Sequence, residues 1–279
     1  MNNIKISACL VIRNEDKLIQ RCLESIKVIA DEIIVVHDGN CQDNSLEIAK
    51  GFKAKIFVRD FIGEAEYHRP FSYQKAQGNW ILQIDADEFL GKNVKDKIEE
   101  MTSSDKVDAY SFLWPYPDET GYIKKGPFAK TFKPVLFRKK KMYMIGISHE
   151  YPRTYGKLQK NPELTLFHRP DYDNYTVKAF SQKWLIWAKI QAGQIFNIKD
   201  APTYNIKHKN QVREYKYYEN MRKNPLYFVL KEMYRFTLIY LARGIILSGL
   251  RSFKIAVYEL AYIGMVGINL YILKHGKRI

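Results

Sequence analysis

The chain contains few cysteines and no pattern that would link them. Only Cys9, Cys22 and Cys41 occur in 279 residues, without a CxxC pair and without histidines at zinc-finger intervals. A disulfide framework and a structural zinc site are therefore not indicated. We expect a protein of a reducing compartment, the cytoplasm.

A secretory signal is also missing from the first residues. The apolar stretch near the start is interrupted by Arg13 and Glu15 before a signal-peptide core could form. The sequence therefore predicts that nothing directs export.

Acidic residues are scarce. Lys and Arg total 45 against 30 Asp and Glu, which gives a formal net charge of +15. Such an excess predicts an anionic partner, which would be nucleic acid, lipid headgroups or a phosphate-bearing substrate. The hydrophobic content of 46 % is enough for a substantial core, so a wholly disordered chain is excluded.

One acidic segment stands out against this basic background, residues 85–88 (DADE), directly after the apolar run 80–84. That run has the length and composition of a buried parallel strand, and ligands of open α/β sheets collect where such strands end. Alternation along the strand would point Asp85 and Asp87 to one side. Because two adjacent carboxylates favour a hard cation, we expect a Mg²⁺ or Mn²⁺ site. Capping of the next helix is the alternative, but it suits one acidic residue better than three.

The remaining pattern predicts an α/β sheet followed by a helical tail. Strands are predicted at residues 6–12, 33–36, 55–58, 80–84, 110–114, 135–138, 143–147 and 164–167. Helices are predicted from residue 14, over 46–52, over 66–77 with an interruption near Pro70, and over 175–196. Alternation of strands and helices is typical of βαβ units, so residues 1–104 are interpreted as a nucleotide-binding half and residues 105–205 as an extension of the same sheet.

The tail, residues 206–279, mixes long apolar segments with basic residues. Residues 227–250 carry four charged side chains, which are too many for a bilayer span and predict an amphipathic interfacial helix. Residues 255–273 are nearly long enough to span, but Glu259 favours a position in the interface or a packed hairpin. We expect the tail to bind an anionic membrane surface, with a soluble helical cap as the alternative.

Three short segments of the first half have a characteristic order and spacing. They are residues 8–15 (ACLVIRNE), 31–39 (DEIIVVHDG) and 83–88 (QIDADE). Together they resemble family 2 glycosyltransferases of the GT-A fold, and the likeness is closest to bacterial cell-surface sugar transferases, including the lipopolysaccharide core glucosyltransferase group. The resemblance implies a GT-A type, Rossmann-like mixed sheet flanked by helices, with a C-terminal helical membrane-associating tail.

The resemblance further implies a site for a nucleotide-sugar donor. Members of the family hold the nucleotide at the end of the first strand and in the second loop. This implies contacts from Arg13, Asn14 and Glu15 near the base and ribose, and from Asp38 to the base. His37 stands where the commoner Asp-Asp-Gly-Ser form has an acidic residue, which leaves the identity of the base open.

By the same resemblance, Asp87 would bind the divalent metal directly. Asp85 would reach the ribose or the metal, and Glu88 would assist nearby. Arg69 would add a fixed positive charge near the diphosphate or the sugar, with a packed surface arginine as the alternative. His168 would supply a nitrogen ligand to the metal, although a lone histidine is more often structural.

Transfer also requires a base that takes the proton from the acceptor hydroxyl. Residues 146–150 (GISHE) place a histidine and a carboxylate after another apolar run, and similar His-Glu pairs occur at this point in related transferases. We expect Glu150 to be the general base, and His149 to orient it or to contact the diphosphate.

The leading hypothesis is an inverting, metal-dependent hexosyltransferase that moves a sugar from a nucleotide-sugar donor to a lipid-linked or cell-surface glycan. Residues 1–104 would bind the donor, residues 105–205 the glycan or glycolipid acceptor, and the tail would hold the enzyme, peripheral or monotopic, at the inner face of the cell membrane. A sugar-phosphate nucleotidyltransferase is the second hypothesis, but no Gly-rich phosphate loop follows the first predicted strand. A basic nucleic-acid-binding protein is the third; it is disfavoured because the tyrosines are scattered and the basic clusters accompany apolar helices.

Overall fold

The computed structural model describes residues 5–92, 94–118, 121–209 and 212–276, and these form two compact units. Unit 1 is built from the described residues of Met1–Pro117, Thr131–Asp171 and Pro202–Asn205. Unit 2 is built from those of Asp118–Lys130, Tyr172–Ala201 and Ile206–Ile279. The functional division at residues 104 and 205 stays a prediction, and residues 277–279 of the predicted tail lie outside the described residues.

The predicted strands and helices have counterparts in the described residues, whereas the helix at Val94–Ser103 and several short strands were not predicted. The strands are β1 (Ile6–Ile12), β2 (Glu32–Asp38), β3 (Lys55–Arg59), β4 (Trp80–Gln83), β5 (Glu88–Leu90), β6 (Ala109–Leu113), β7 (Pro117–Asp118), β8 (Gly121–Tyr122), β9 (Phe132–Arg138), β10 (Met142–Ile145), β11 (Arg153–Thr154), β12 (Leu158–His168) and β13 (Thr203–Tyr204). The helices are α1 (Ile19–Ile26), α2 (Ser45–Gly51), α3 (Ala65–Lys75), α4 (Val94–Ser103), α5 (Val177–Ala179), α6 (Leu185–Phe196), α7 (Arg213–Lys223), α8 (Pro225–Ala242) and α9 (Leu250–His275). A π-helical turn at Phe180–Trp184 joins α5 to α6.

Unit 1 is organised around an eight-stranded mixed sheet in the order β3-β2-β1-β4-β9-β6-β12-β5. The first four of these strands are parallel, and β9 then runs antiparallel to both β4 and β6. Strands β1, β2 and β4 are buried along their whole length, as expected for interior strands with apolar side chains on both faces. The predicted mixed α/β sheet flanked by helices is confirmed, and the aromatic strands β6, β9 and β12 extend the same sheet.

Three local predictions need correction. Strand β4 ends at Gln83, and the acidic segment forms a turn in which the Glu88 N–H donates to the Asp85 carbonyl at 3.0 Å. Helix α1 begins at Ile19 rather than at Asn14, because Asn14 has a φ of 53° that a right-handed helix does not allow. Helix α3 is continuous through Pro70. The proline removes one backbone hydrogen bond of the helix, but buried side chains before and after it hold the helix in place.

Unit 2 is helical, and α6 and α8 both pack against α9. A Cβ atom at Gly267 would lie 2.0 Å from Cγ2 of Val229, so glycine permits the close approach of α8 and α9. Among the described helices, only α9 is long and apolar enough to cross a bilayer, and 33 % of its apolar window is buried against protein. Glu259 on α9 accepts a hydrogen bond from the hydroxyl of Tyr175 at 3.5 Å. This contact fits a helix packed against protein.

Candidate active site

The candidate site residues of unit 1 collect at one edge of the large sheet. Asp38 is the last residue of β2, and the acidic segment follows β4. Lys133 lies near the beginning of β9, which is the same edge because β9 runs antiparallel to β4. His168 ends β12, which runs parallel to β6. The carboxyl edge of a mixed α/β sheet is where ligands are expected.

Asp85 is held by two cations. Its Oδ1 accepts from Nη2 of Arg69 at 2.8 Å, and its Oδ2 accepts from Nζ of Lys133 at 2.7 Å. Burial opposes ionisation of Asp85, but the two cations outweigh it and hold the pKa of this carboxyl well below its usual value. Asp85 is therefore ionised, and both of its oxygens are bonded to protein cations.

Glu88 is fully buried and surrounded by donors. Its Oε1 accepts from Nζ of Lys133 and from the indole Nε1 of Trp114, each at 2.7 Å. Its Oε2 accepts from the backbone N–H of Asp85 at 3.0 Å. Burial and the nearby carboxylates raise the pKa of Glu88, and Lys133 opposes this. Because every partner donates, the arrangement suits a carboxylate at this position.

The side chain of Asp87 contacts His168. Nε2 of His168 lies 3.0 Å from Oδ2 of Asp87, and the Arg169 N–H donates to the Asp87 carbonyl at 2.8 Å. The pairing of β12 with β5 sets this contact, since His168 lies opposite Glu88 in the register. Burial lowers the pKa of His168, but the Asp87 carboxylate outweighs burial and raises it. The His168 ring stacks on Trp114 with 4.9 Å between the centroids.

The donor set of Asp87 and His168 fits a divalent cation. Their side chains are 28 % and 17 % exposed, and one carboxylate oxygen and one imidazole nitrogen already face each other. In the part of the chain that the structure describes, no cluster of three or more His, Cys, Asp or Glu side chains could hold a metal. An ion at this pair would therefore complete its coordination with oxygens of substrate and water, as Mg²⁺ commonly does.

Asp38 organises the loop that follows β3. Its Oδ1 accepts from the Ile62 N–H at 2.7 Å and from Nε2 of His68 at 2.9 Å, and its Oδ2 accepts from the Gly63 N–H at 2.8 Å. Burial raises the pKa of Asp38, but these three donors outweigh burial and lower it. The residue predicted to contact a base is thus an ionised, oriented carboxylate at the end of β2.

His37, which replaces the usual acidic residue, connects two loops. Its Nδ1–H donates to the Gly39 carbonyl at 2.8 Å, and its Nε2 accepts from the Asn14 N–H at 3.3 Å. Oδ1 of Asn14 in turn accepts from the Gln42 N–H at 2.9 Å. A neutral imidazole can make one donor and one acceptor contact in this way, whereas a carboxylate could not donate.

Arg13 and Glu15 lie beside these loops. The exposed guanidinium of Arg13 stacks over the Phe61 ring at 3.7 Å from its centroid. The backbone N–H of Glu15 donates to Oγ of Ser45 at 2.6 Å, and its carbonyl accepts from the N–H groups of Leu18 and Ile19 at the start of α1. The three residues predicted near the base and ribose therefore occur together beside Asp38.

The segment predicted to hold the general base forms a turn after β10. The Glu150 N–H donates to the Ile147 carbonyl at 3.1 Å, and Oε2 of Glu150 lies 3.3 Å from Nη2 of Arg153. His149 is exposed and has a φ of 62°. The next residue, Tyr151, has its ring centroid 5.8 Å from Nζ of Lys133. The turn is thus close to the acidic segment.

Sequence reasoning missed three residues of the site. Lys133, Trp114 and His68 contact Asp85, Glu88 or Asp38, yet none was predicted. A weak signal existed for Lys133, because a lysine beside the apolar run 134–137 is costly to bury unless it is paired. His68 was visible only as the neighbour of Arg69 on a helix.

Comparison with known proteins identifies the family of this chain. A model of the glycosyl transferase family 2 matches residues 7–168, which include all of the acidic segment and end at His168. The chain belongs to glycosyltransferase family 2. Its mixed sheet is the GT-A type fold that the sequence predicted, which is therefore confirmed.

Relatives of this family 2 chain share its first part. An uncharacterized glycosyltransferase of Rickettsia bellii is 40 % identical over 106 residues, which are 38 % of this chain and 35 % of the relative. The SPbeta prophage-derived glycosyltransferase SunS of Bacillus subtilis is 30 % identical over 162 residues, which are 54 % of this chain and 35 % of the relative. The chain thus spans about a third of the length of these relatives.

Distant similarities to solved structures cover more of the chain. Staphylococcus aureus TarS 1–349, in complex with UDP-GlcNAc, aligns with a TM-score of 0.47 and 15 % identity over 98 % of this chain and 92 % of that chain. Glucosyl-3-phosphoglycerate synthase from Mycobacterium tuberculosis, in complex with Mg²⁺ and UDP, aligns with a TM-score of 0.43 and 11 % identity over 69 % and 78 %.

Proposed function

We propose that this family 2 chain is an inverting, metal-dependent hexosyltransferase that uses a nucleotide-sugar donor. The observation that supports this most is the pairing of Asp87 with His168 at the carboxyl edge of the sheet, the same edge at which the oriented carboxylate of Asp38 lies. One oxygen and one nitrogen ligand for a divalent ion lie where a diphosphate would be bound.

The donor nucleotide would lie over the ends of β1 and β2. Oδ2 of Asp38 accepts one described hydrogen bond, and a carboxylate oxygen can accept a second, which an N–H of the base would donate. The stacked pair of Arg13 and Phe61 provides an exposed flat surface beside it. Asn14 and Glu15 follow β1 and would contact the ribose. Arg69 would contribute positive potential through its bond to Asp85.

Asp87 and His168 would hold a divalent ion, which would supply positive charge to stabilise the departing nucleoside diphosphate. Glu150 would take the proton of the acceptor hydroxyl. The oxygen of that hydroxyl would form a bond to the anomeric carbon of the donor sugar, while the bond from this carbon to the phosphate oxygen breaks. Attack from the side opposite the leaving group inverts the anomeric centre. His149 and Glu88 would support this arrangement from neighbouring positions.

The acceptor would be a lipid-linked or cell-surface glycan, with the enzyme held at the inner face of the cell membrane. On α8 the large side chains at residues 226, 230, 234, 238 and 241 are all exposed and follow one another at helical spacing. Exposed basic side chains, including Lys231 and Arg243, lie on the same helix or at its end. An apolar stripe with basic neighbours suits an anionic membrane surface.

Nucleotide binding tests the proposal directly. The purified chain is titrated calorimetrically with a panel of nucleoside diphosphates, with and without Mn²⁺, and the titration is repeated with Asp87→Asn. We expect at least one nucleotide to bind, to bind more tightly with Mn²⁺, and to lose that gain in the variant. Asp96→Asn, an exposed aspartate on α4, is the matched control and should behave as the parent chain. If no nucleotide binds, or binding ignores both metal and substitution, the proposal is wrong.

A further inference from the structure

The cation that the acidic segment requires is present in the protein itself. Lys133 is 3 % exposed, and its Nζ lies 2.7 Å from Oδ2 of Asp85 and 2.7 Å from Oε1 of Glu88. These two residues are the ends of the turn that follows β4, so one ammonium spans the turn. A buried lysine is costly unless it is paired, and here it has two carboxylates.

The surroundings of the ammonium fix it in place. Nζ of Lys133 lies 5.6 Å from the centroid of the Trp114 ring, and the indole N–H of the same tryptophan donates to Oε1 of Glu88. The aromatic face stabilises the cation, and the indole N–H shares its carboxylate partner. Exchange of Lys133 with solvent would therefore break several contacts at once.

This arrangement divides the acidic segment into two parts. The oxygens of Asp85 are bonded to Arg69 and Lys133, and Oε1 of Glu88 accepts two hydrogen bonds. Asp87 is the carboxylate that faces a nitrogen ligand, His168. A divalent ion that bound Asp85 and Glu88 would have to displace the ammonium of Lys133.

We propose that Lys133 is the resident counter-cation of the acidic segment. It is a positioning residue that holds Asp85 and Glu88 together and excludes a divalent ion from them, so that a metal is directed to Asp87 and His168. The choice of metal ligands rests on the proposed function, whereas the occupation of the Asp85 and Glu88 position by an ammonium does not.

Binding of Mn²⁺ alone tests this proposal. The full chain and Lys133→Met, which keeps an unbranched side chain one atom shorter and without charge, are titrated with MnCl₂, and free Mn²⁺ is followed by electron paramagnetic resonance. We expect the variant to bind Mn²⁺ at least tenfold more tightly than the parent chain, since two carboxylates lose their cation. The gained binding should survive Asp87→Asn and should disappear when Glu88→Gln is added. Equal affinity in the parent chain and Lys133→Met would overturn the proposal.

Two controls separate charge from packing. Lys139→Met removes a lysine whose Nζ bonds the Ala76 carbonyl, and it should leave Mn²⁺ binding unchanged. Lys133→Arg keeps the positive charge and should gain no Mn²⁺ site, even if it is less stable. A gain in Lys133→Arg equal to that in Lys133→Met would show that packing is responsible and would refute the proposal.

Folding of the variant provides a second readout. If Lys133→Met is unfolded in metal-free buffer, circular dichroism is recorded with MnCl₂ and with choline chloride at equal ionic strength. We expect Mn²⁺ to restore the fold and choline to have no effect. Recovery with neither salt would count against the counter-cation role. If the parent chain binds no nucleotide, the proposed function is refuted, but the comparison of Mn²⁺ binding between the parent chain and Lys133→Met still tests the role of Lys133.

Discussion

Arg69 donates from Nη2 to Oδ1 of Asp85 at 2.8 Å, and this bond ties the middle of α3 to the turn after β4. The preceding residue on the helix, His68, contacts Asp38 at the end of β2. Helix α3 therefore fixes two loops of the candidate site relative to each other. A packed arginine and a functional arginine were alternatives from the sequence; the contact brings Arg69 to the acidic segment, and its functional role stays a prediction.

Replacing Arg69 with methionine should destabilise the fold moderately. Asp85 keeps Lys133 as a partner, so we expect a loss of about 1.5–3 kcal/mol, as for a hydrogen bond to a charged group, rather than the roughly 3–5 kcal/mol of an uncompensated buried charge. Urea unfolding at pH 7 measures the difference. Arg235→Met breaks an exposed pair with Glu232 and should change stability by less than about 1 kcal/mol. Equal losses in the two variants would contradict the role of Arg69.

His168 is expected to act through its nitrogen. Because the ring also stacks on Trp114, His168→Phe keeps an aromatic ring at this position and removes the ligand atom. We expect the Mn²⁺-dependent part of nucleotide affinity to fall by about tenfold or more, since even residues that only support metal ligands contribute about 10–100-fold. Isothermal titration with and without Mn²⁺ checks this. His208→Gln, an exposed histidine, is the control, and an unchanged metal dependence in His168→Phe would assign the histidine to packing alone.

The strands near the acidic segment were predictable because interior parallel strands have a simple pattern. The prediction for β1 agrees with the structure at both ends, Ile6 and Ile12, and the acidic segment follows β4 as expected. The electrostatic argument predicted a hard divalent cation, and the metal site stays a prediction; the cations that the structure places at Asp85 are Arg69 and Lys133. The sequence could not show that the cation includes Lys133, since this residue is 45 positions beyond Glu88 and reaches it only through the sheet.

A β-bulge explains why the orientation of Lys133 could not be derived from alternation. Tyr110 pairs with Leu136 but Ser111 pairs with Pro134, so β9 has an extra residue at this point. A bulge shifts the alternation of side chains by one position. Strict alternation counted back from Phe137 therefore assigns the side chain of Lys133 to the wrong face of the sheet. Contacts that depend on such register shifts require the structure.

Glu150→Gln should separate donor binding from transfer. If Glu150 is the base, the variant should bind the nucleoside diphosphate normally and lose transfer by about 10²–10⁴-fold, the usual contribution of a general base. Calorimetry and a donor-consumption assay measure the two properties. Glu163→Gln, which alters an exposed carboxylate paired with Lys97, should affect neither. Transfer at the parent rate in Glu150→Gln would place the base elsewhere.

Glu64 should make stability fall as pH rises. Burial and the neighbouring Glu66 carboxylate raise the pKa of Glu64 to about 9, while the positive charge of Arg69 opposes this. Because the folded pKa lies above the unfolded value, the contribution is full below about pH 4.3 and is lost as pH rises toward 9. Each pH unit in this window costs at most about 1.4 kcal/mol.

Glu64→Gln tests that assignment, because glutamine keeps the shape and cannot ionise. We expect urea unfolding curves at pH 5, 6.5 and 8 to show a smaller loss of stability in the variant than in the parent chain. The variant should gain most at pH 8. If the free energy of unfolding changes with pH equally in both proteins, Glu64 is not the cause of the loss of stability.

Membrane binding should depend on the exposed stripe of α8. Leu230 is 68 % exposed, and burying a leucine in an apolar phase contributes about 1.5–3 kcal/mol, so Leu230→Glu should weaken vesicle binding roughly tenfold or more. Sedimentation with phosphatidylglycerol vesicles measures this, and neutral phosphatidylcholine vesicles should bind less because the tail is basic. Val177→Glu changes an exposed apolar residue on α5 and is the matched control. Equal binding of both variants, or binding that ignores vesicle charge and salt, would favour the soluble helical cap and remove the membrane from the proposed function.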